Sequence, residues 1–387
     1  MASVAAAFPF IDVTIDTSQL VPAAQRSPGV VAIVGSTAGD GTAPVNVPIV
    51  VDTPADAAQF AKITAGVVAP NALYSSLLIA MLQDPRPAKI YAVKINGTDF
   101  DSGLAALDAA DDVAFVSLAG VTDPATLAKL KTHAETNSAA GQKRIAVMMV
   151  DPKIAKSATY AADVNTAFTA TPNLKSSSSR VFVVAARGAT TDSGGVADVA
   201  TAAMAAVAGY APNLSIVLKR VRGITVPVAA QYTPAEIKAL SELGFVPIIQ
   251  PALVVGGGFF FAEGRLLTSD ASLLYVDIVR TLDDIDFRLK AGLIGAIGDA
   301  RITKAGMTSV KTRVDGILGP LKRGAIIDDY QTTLPVLDIL SVPESTWTAT
   351  ERQIVVDARA NRAVDMFVSV TYGPAVHRLR VTLQPKF

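Results

Sequence analysis

The chain has 387 residues, 50% of them hydrophobic and 18% charged, with no cysteine and a formal net charge of zero. Zero net charge leaves no overall field to recruit nucleic acid or an anionic membrane, and the lack of cysteine excludes disulfides, thiolate metal sites and cysteine nucleophiles. The length supports two or three domains; a mean hydropathy of +0.40 with only 6% aromatics means that Ala and Val supply the apolar excess, as expected where much surface is buried against partners.

No Lys or Arg precedes Arg26, and Pro9 and Asp12 interrupt the apolar start, so a secretory signal is not expected. Residues 10–17 alternate, with Ile11, Val13 and Ile15 apolar and Asp12, Thr14 and Asp16 polar, the period of a half-buried strand. Pro22 and the Ser27-Pro28-Gly29 turn detach this strand from the body of the chain. From Gly29 the pattern is α/β. Residues 30–34 form an apolar strand that runs into the loop Gly35-Ser36-Thr37-Ala38-Gly39-Asp40-Gly41. Residues 47–51 form a second strand, and Asp52-Thr53-Pro54 caps a helix carrying Ala57, Ala58 and Phe60. A helix over 72–82 leads to a strand at 90–95. Strands at 113–118, 145–150, 181–186 and 215–218 then alternate with helices at 124–135, 158–168 and 196–207. That alternation predicts an open, largely parallel sheet covered by helices.

A helix after Thr233-Pro234 ends at Leu243, residues 246–255 read as strands broken by Pro251, and 264–269 as a short extended run. The most apolar window, 245–262, contains Pro247, Gln250, Pro251 and three consecutive glycines, which argues against a spanning helix; a soluble cytosolic chain is expected. Asp270 is expected to open a long helix through Lys290, with Tyr275, Ile278, Val279, Leu282, Ile285 and Leu289 as its buried stripe. A further helix over 303–323 carries Met307, Val310, Val314, Ile317 and Leu321. Residues 326–340 read as strand and turn, and 345–362 as a strand-rich connection. The chain closes on two extended runs, 366–372 and 376–384, around Gly373-Pro374. In the last, Leu379, Val381 and Leu383 point one way and Arg378, Arg380, Thr382 and Gln384 the other. Such a strand either closes its own sheet or pairs with a neighbour, and a matching detachable strand at the other end favours the neighbour.

Sets of residues that carry chemistry are sparse. His133 lies in a polar helix beside Lys131 and Glu135 and reads as solvated; His377 begins the last strand on its polar side. Neither has a second histidine at metal-ligand spacing, and there is no P-loop and no G-x-S-x-G elbow. The loop from Gly35 to Gly41 could cradle a phosphate through its amides but lacks G-x-G-x-x-G, which favours a plain glycine turn. Arg187-Gly188 ends a strand where open α/β sheets often bind ligands, without convergent acids or bases. Asp283, Asp284 and Asp286 could share a cation, face solvent, or meet basic groups on a neighbour. Lys304, Lys311, Arg313, Lys322 and Arg323 make the second long helix mostly basic, but no aromatics interleave them to suggest nucleic acid.

The run Gly258-Phe259-Phe260-Phe261-Ala262-Glu263-Gly264-Arg265-Leu266-Leu267-Thr268-Ser269-Asp270 resembles a signature of contractile tail sheath proteins, the family of contractile-tailed phage, R-type bacteriocin and injection-system sheaths. In that family a similar run precedes a long helix bearing Val-x-Arg-Thr, here the element Val276-Asp277-Ile278-Val279-Arg280-Thr281 followed by Asp283 and Asp284. Val30-Val31-Ala32-Ile33-Val34-Gly35, Asn46-Val47-Pro48-Ile49 and Asp56-Ala57-Ala58-Gln59-Phe60 resemble the family's opening, whereas 96–228 match only in type and the usual Pro-Gly-Val-Tyr start is missing.

The resemblance implies an α/β chain (α+β overall), with an outer open α/β sheet domain over 25–228 and an inner sheath domain over 229–363 with long helices and a small sheet. Strand-like arms over 1–24 and 364–387 would add to sheets of neighbouring copies through Ile11, Val13, Ile15, Leu379, Val381 and Leu383. The implied partners are the chain itself in a helical homopolymer, an inner tail tube, and baseplate and tail terminator proteins. No nucleic acid, membrane insertion, cofactor, metal or catalytic residue is expected. The place would be a virion tail or injection particle assembled in the bacterial cytoplasm. Lys304, Lys311 and Arg313 are the candidates for facing the tube. Two other classes stay open, a Rossmann-like nucleotide-binding enzyme using the loop from Gly35 to Gly41 and a subunit of another assembly, such as a tail tube or surface layer.

Overall fold

A computed structural model describes residue 27, residues 29–192 and residues 194–377. In chain order its elements are β1 (Val30–Ser36), β2 (Pro48–Val50), α1 (Pro54–Ala57), β3 (Lys62–Thr64), β4 (Val67–Ala69), α2 (Ala72–Met81), β5 (Lys89–Ile95), α3 (Phe100–Ala105), β6 (Phe115–Leu118), α4 (Pro124–Ala139), β7 (Ile145–Met149) and α5 (Tyr160–Thr169). There follow β8 (Val181–Ala185), α6 (Val199–Gly209), β9 (Arg220–Val221), α7 (Pro234–Glu242), β10 (Phe245–Ile249), β11 (Phe259–Phe261), α8 (Val276–Leu293), α9 (Lys304–Arg323), β12 (Asp329–Thr333), α10 (Pro335–Leu340), α11 (Ala349–Asn361) and β13 (Phe367–Thr371).

The main sheet has the order β2-β5-β1-β6-β7-β8-β10-β11-β9. From β5 to β10 the strands are parallel, and β2, β11 and β9 join antiparallel at the two edges. The expected open α/β sheet is therefore present, and it takes in β10 and β11 from beyond residue 228. Alternation places Val31 and Ile33 of β1 in one core with α2 and α6, and Val30, Ala32 and Val34 in another with α3, α4 and α5. Central strands buried on both faces read as continuous apolar runs, hence the apolar runs that marked them.

Much of the Ala and Val excess is internal. Ten of the eleven residues of α6 are buried, because the helix lies under α2 and on the strands β6 and β7. Small side chains allow that close stacking: a Cβ added to Gly209 would sit 2.0 Å from the carbonyl oxygen of Pro85.

By contacts the described residues form two compact units, one of 288–317 with 334–365, the other of 27–287 with 318–333 and 366–377. In the smaller unit α10 packs on α11, and Arg352 reaches Glu344 at 3.2 Å. Among the described residues no helix is long and apolar enough to cross a membrane.

Several local expectations are corrected. Residues 345–362 hold helix α11, not strands; Thr348 and Glu351 form a capping box at its start, with Arg362 left-handed at its end. The helix expected from Asp270 starts at Val276, because the Asp270 carboxylate accepts from the Ser272 amide and hydroxyl and holds a turn instead. Residues 215–218 are a turn with Leu218 left-handed, and the strand of that region is the two-residue β9. After β12 the chain forms α10 with Pro335 in its first turn, where the sequence suggests only a turn.

Candidate strand-docking site

Strands β12 and β13 pair antiparallel, from Asp329 opposite Thr371 to Thr333 opposite Phe367, and among the described residues nothing else joins them. Both alternate in burial, with Tyr330, Thr332, Val368 and Val370 partly covered and the residues between them exposed. An isolated two-stranded ribbon is marginal in water, and a sheet of this kind can be extended by a further strand. Within the described residues the partner of the extended run 366–372 is β12.

Beyond β13 the chain is fastened at two points. The Tyr372 hydroxyl donates to Asp277 Oδ2 at 2.9 Å, in the first turn of α8, and Asp277 is buried. Burial first, and then the neighbouring carboxylate, push the Tyr372 phenol beyond the usual range for tyrosine. Five residues on, His377 Nδ1 lies 3.2 Å from Glu263 Oε1 and Nε2 lies 2.9 Å from Ser215 Oγ, while the ring packs edge-on to Tyr275 with centroids 5.1 Å apart. His377 is thus in a socket rather than on a free polar face. A serine, a histidine and a carboxylate in a row have the connectivity of a nucleophilic triad. Here the imidazole belongs to the segment being held, and the serine oxygen also takes the Val217 amide at 3.3 Å, so the set works as a fastening.

The aromatic–Gly–Arg run builds that socket. Glu263 follows β11, and Gly264 packs closely on Ile216, whose side chain a Cβ would meet at 3.1 Å. Arg265 crosses the Tyr275 ring at 5.7 Å, with its Nε 4.0 Å from Glu263. Further along α8, Arg280 is buried, donates to the Tyr210 carbonyl at 2.7 Å and covers Phe115 at 5.4 Å; desolvation lowers its pKa to about 10. Asp283 takes both terminal nitrogens of Arg180 at 2.5 and 2.9 Å, so this member of the acidic cluster meets a basic group within its own chain. Among the described residues no cluster of metal-ligating side chains is present. The distributed signature could be read from the sequence; the contacts of His377 with Glu263 and Ser215 and of Tyr372 with Asp277 could not, since they span up to 162 positions.

Ile11, Val13, Ile15, Leu379, Val381 and Leu383 lie outside the described residues. Lys304, Lys311 and Arg313 lie on α9, whose buried stripe is Met307, Val314, Leu318 and Leu321. At about 100° per residue, Lys304 and Lys311 fall on one flank of that stripe and Arg313 on the opposite flank. Lys304 and Arg313 are exposed, while Lys311 is half-buried and already paired with Asp315 at 3.0 Å.

His133 is corrected from solvated to buried: Arg144, itself fully buried, reaches its Nε2 at 2.8 Å, and Asn137 reaches its Nδ1 at 3.3 Å. Desolvation, and then the Arg144 charge, lower its pKa to about 4. Arg187 serves packing: it is buried between the rings of Tyr160 and Tyr232 at 4.5 and 4.8 Å and paired with Glu236 at 2.8 Å. In the loop from Gly35 to Gly41, the Lys94 ammonium binds the Asp40 and Gly41 carbonyls at 2.8 and 3.1 Å. Gly35 is needed because a Cβ would lie 2.6 Å from the Ala119 Cβ, a packing role rather than a cofactor cradle.

No family model matches the chain, and no curated protein sequence matches it. Solved structures do. The contracted PVC sheath complex of an extracellular contractile injection system superposes with a TM-score of 0.69 at 13% identity, over 99% of this chain and 98% of that one. The contracted helical sheath of the anti-feeding prophage gives 0.66 at 13% identity, over 98% and 99%. A sheath tail protein from Desulfitobacterium hafniense gives 0.58 at 13% identity, over 84% and 93%. From end to end, the chain has the fold of contractile sheath proteins.

Proposed function

We propose that the chain is the structural subunit of a contractile sheath, polymerising helically around an inner tube and contracting to drive that tube through a target cell envelope. The two-stranded ribbon β12–β13, which joins no larger sheet among the described residues, carries this proposal, in a chain whose fold matches sheath chains over nearly their full length. Strand addition to such a ribbon satisfies backbone groups along it, and each cross-strand pair adds about 0.2–1 kcal/mol. Those small terms accumulate over every copy of a polymer. Of the arms at 1–24 and 364–387, the first and the part of the second beyond β13 are the strands added, β13 itself pairing with β12; residues 25–228 are the outer domain and residues 229–363 the inner domain. Partners are further copies, an inner tube, a baseplate and a tail terminator, in a tail or injection particle assembled in the bacterial cytoplasm. No catalytic step is assigned to it. Nothing in the loop from Gly35 to Gly41 favours the nucleotide-binding alternative, since its glycines and Lys94 are used in closing the loop.

Overexpression followed by negative-stain electron microscopy tests this. The full chain should form wide, hollow tubules, and a chain lacking 376–387 should stay monomeric. Compact particles from the full chain would refute the sheath assignment, and long tubules from the shortened chain would refute strand addition by the C-terminal arm.

A further inference from the structure

The fastening beyond β13 has geometry that simple strand addition does not require. A free arm would need only a flexible joint, and Gly373, with open space around its Cα, could supply one. Instead the segment is held at Tyr372 and again at His377, while Val376 between them is 82% exposed. Each pin uses a buried carboxylate, Asp277 and Glu263, at 4% and 5% exposure. Burying carboxylates to hold a terminal segment is worthwhile only where the position of that segment matters, because hydrophobic contacts alone would hold it without direction.

We propose that Glu263, Ser215 and Tyr275 form a socket for His377 that sets where the C-terminal segment leaves the body, making His377 and Tyr372 positioning residues for strand addition between copies. This rests on the sheath proposal. Fixing the exit point beside β12–β13 lowers the entropy lost when the following residues pair with another copy, the general gain from preorganisation. It also sets the register of that pairing, since a one-residue slip would turn every side chain of the added strand to the wrong face. His377 donates its Nδ1–H to Glu263 and accepts at Nε2 from the Ser215 hydroxyl, so both ring nitrogens are directed. Arg265 shares Glu263 and the Tyr275 ring with it.

The test uses the full chain, with sedimentation and electron microscopy of tubules. His377→Ala should leave the folding transition within a few degrees of the unaltered chain but reduce long tubules by at least about tenfold. His377→Gln, which keeps a donor and an acceptor, should recover most of the yield. Tyr372→Phe should give an intermediate loss. Tubules from His377→Ala with the yield of the unaltered chain, or no recovery in His377→Gln, would overturn the socket's positioning role. Either result would leave the sheath proposal standing, which falls only if the unaltered chain forms no tubules.

Discussion

At the scale of single residues, the buried arginines of this chain act as internal struts. Arg144, Arg187 and Arg280 are each nearly inaccessible, and each donates to backbone carbonyls at the ends of elements or in the turns between them. Carbonyls at the ends of buried elements must find a donor, and guanidinium reaches several at once. Acid should expose this dependence in two successive windows. Burial and Arg144 hold His133 near 4 against an ordinary value of 6.5, so the unfolded chain takes up that proton first. Stability from neutral His133 is therefore full above 6.5, drains between 6.5 and 4, and amounts to at most about 3 kcal/mol. Glu236 behaves oppositely to its burial: desolvation would raise it, but hydrogen bonds from Arg187 and Thr233 outweigh that and hold it at about 2. Its contribution is present above the unfolded value of 4.5 and is lost between 4.5 and 2. Urea unfolding at pH 7.5, 5.5 and 4.5 checks the first window; a His133→Gln chain that loses stability as steeply as the unaltered one would exclude His133 as the cause.

At the scale of elements, the residues that mark helix starts explain both the successes and the main miss. Thr53 with Asp56, Thr233 with Glu236 and Thr348 with Glu351 form the same reciprocal cap. The first two are legible because Pro54 and Pro234 sharpen the signal. The third lacks a proline and precedes Ile354, Val355 and Val356, whose β-branching suggests strand. Tertiary packing decided otherwise, burying Val355 and Ala358. Thr348→Ala should lower the stability of the unit containing α10 and α11 by about 1 kcal/mol, with Thr348→Ser nearly neutral. Thermal unfolding followed by circular dichroism measures this, and equal losses in both variants would show that the hydroxyl is not acting as a cap. The ribbon is half legible: β13 alternates visibly in sequence, but its partner β12 ends 34 residues before it begins, Thr333 opposite Phe367, and only the fold brings the two together.

At the scale of the whole molecule, charge on α9 is the remaining question for assembly. Lys304 and Lys311 share a flank opposite Arg313, so one tube surface can engage one flank only, and Lys311 has Asp315 to leave first. If the Lys304 flank faces the tube, Lys304→Glu with Lys311→Glu should weaken co-sedimentation with tube about tenfold or more, and more strongly at low salt. Arg313→Glu should then have little effect. The reverse pattern would assign the other flank, and no effect from either would remove α9 from the tube contact. The sequence by itself determined the parallel sheet, the two long helices, the absence of a recognisable catalytic set, and a scattered resemblance to sheath proteins. Each of these is written in local periodicity or short motifs. Only the tertiary structure decided which strands share a sheet, that β10 and β11 extend it, that Ala-rich α6 is almost wholly internal, and that His377 sits in a socket with Glu263 and Ser215. Those depend on contacts between residues far apart in the chain, where local propensity carries no information.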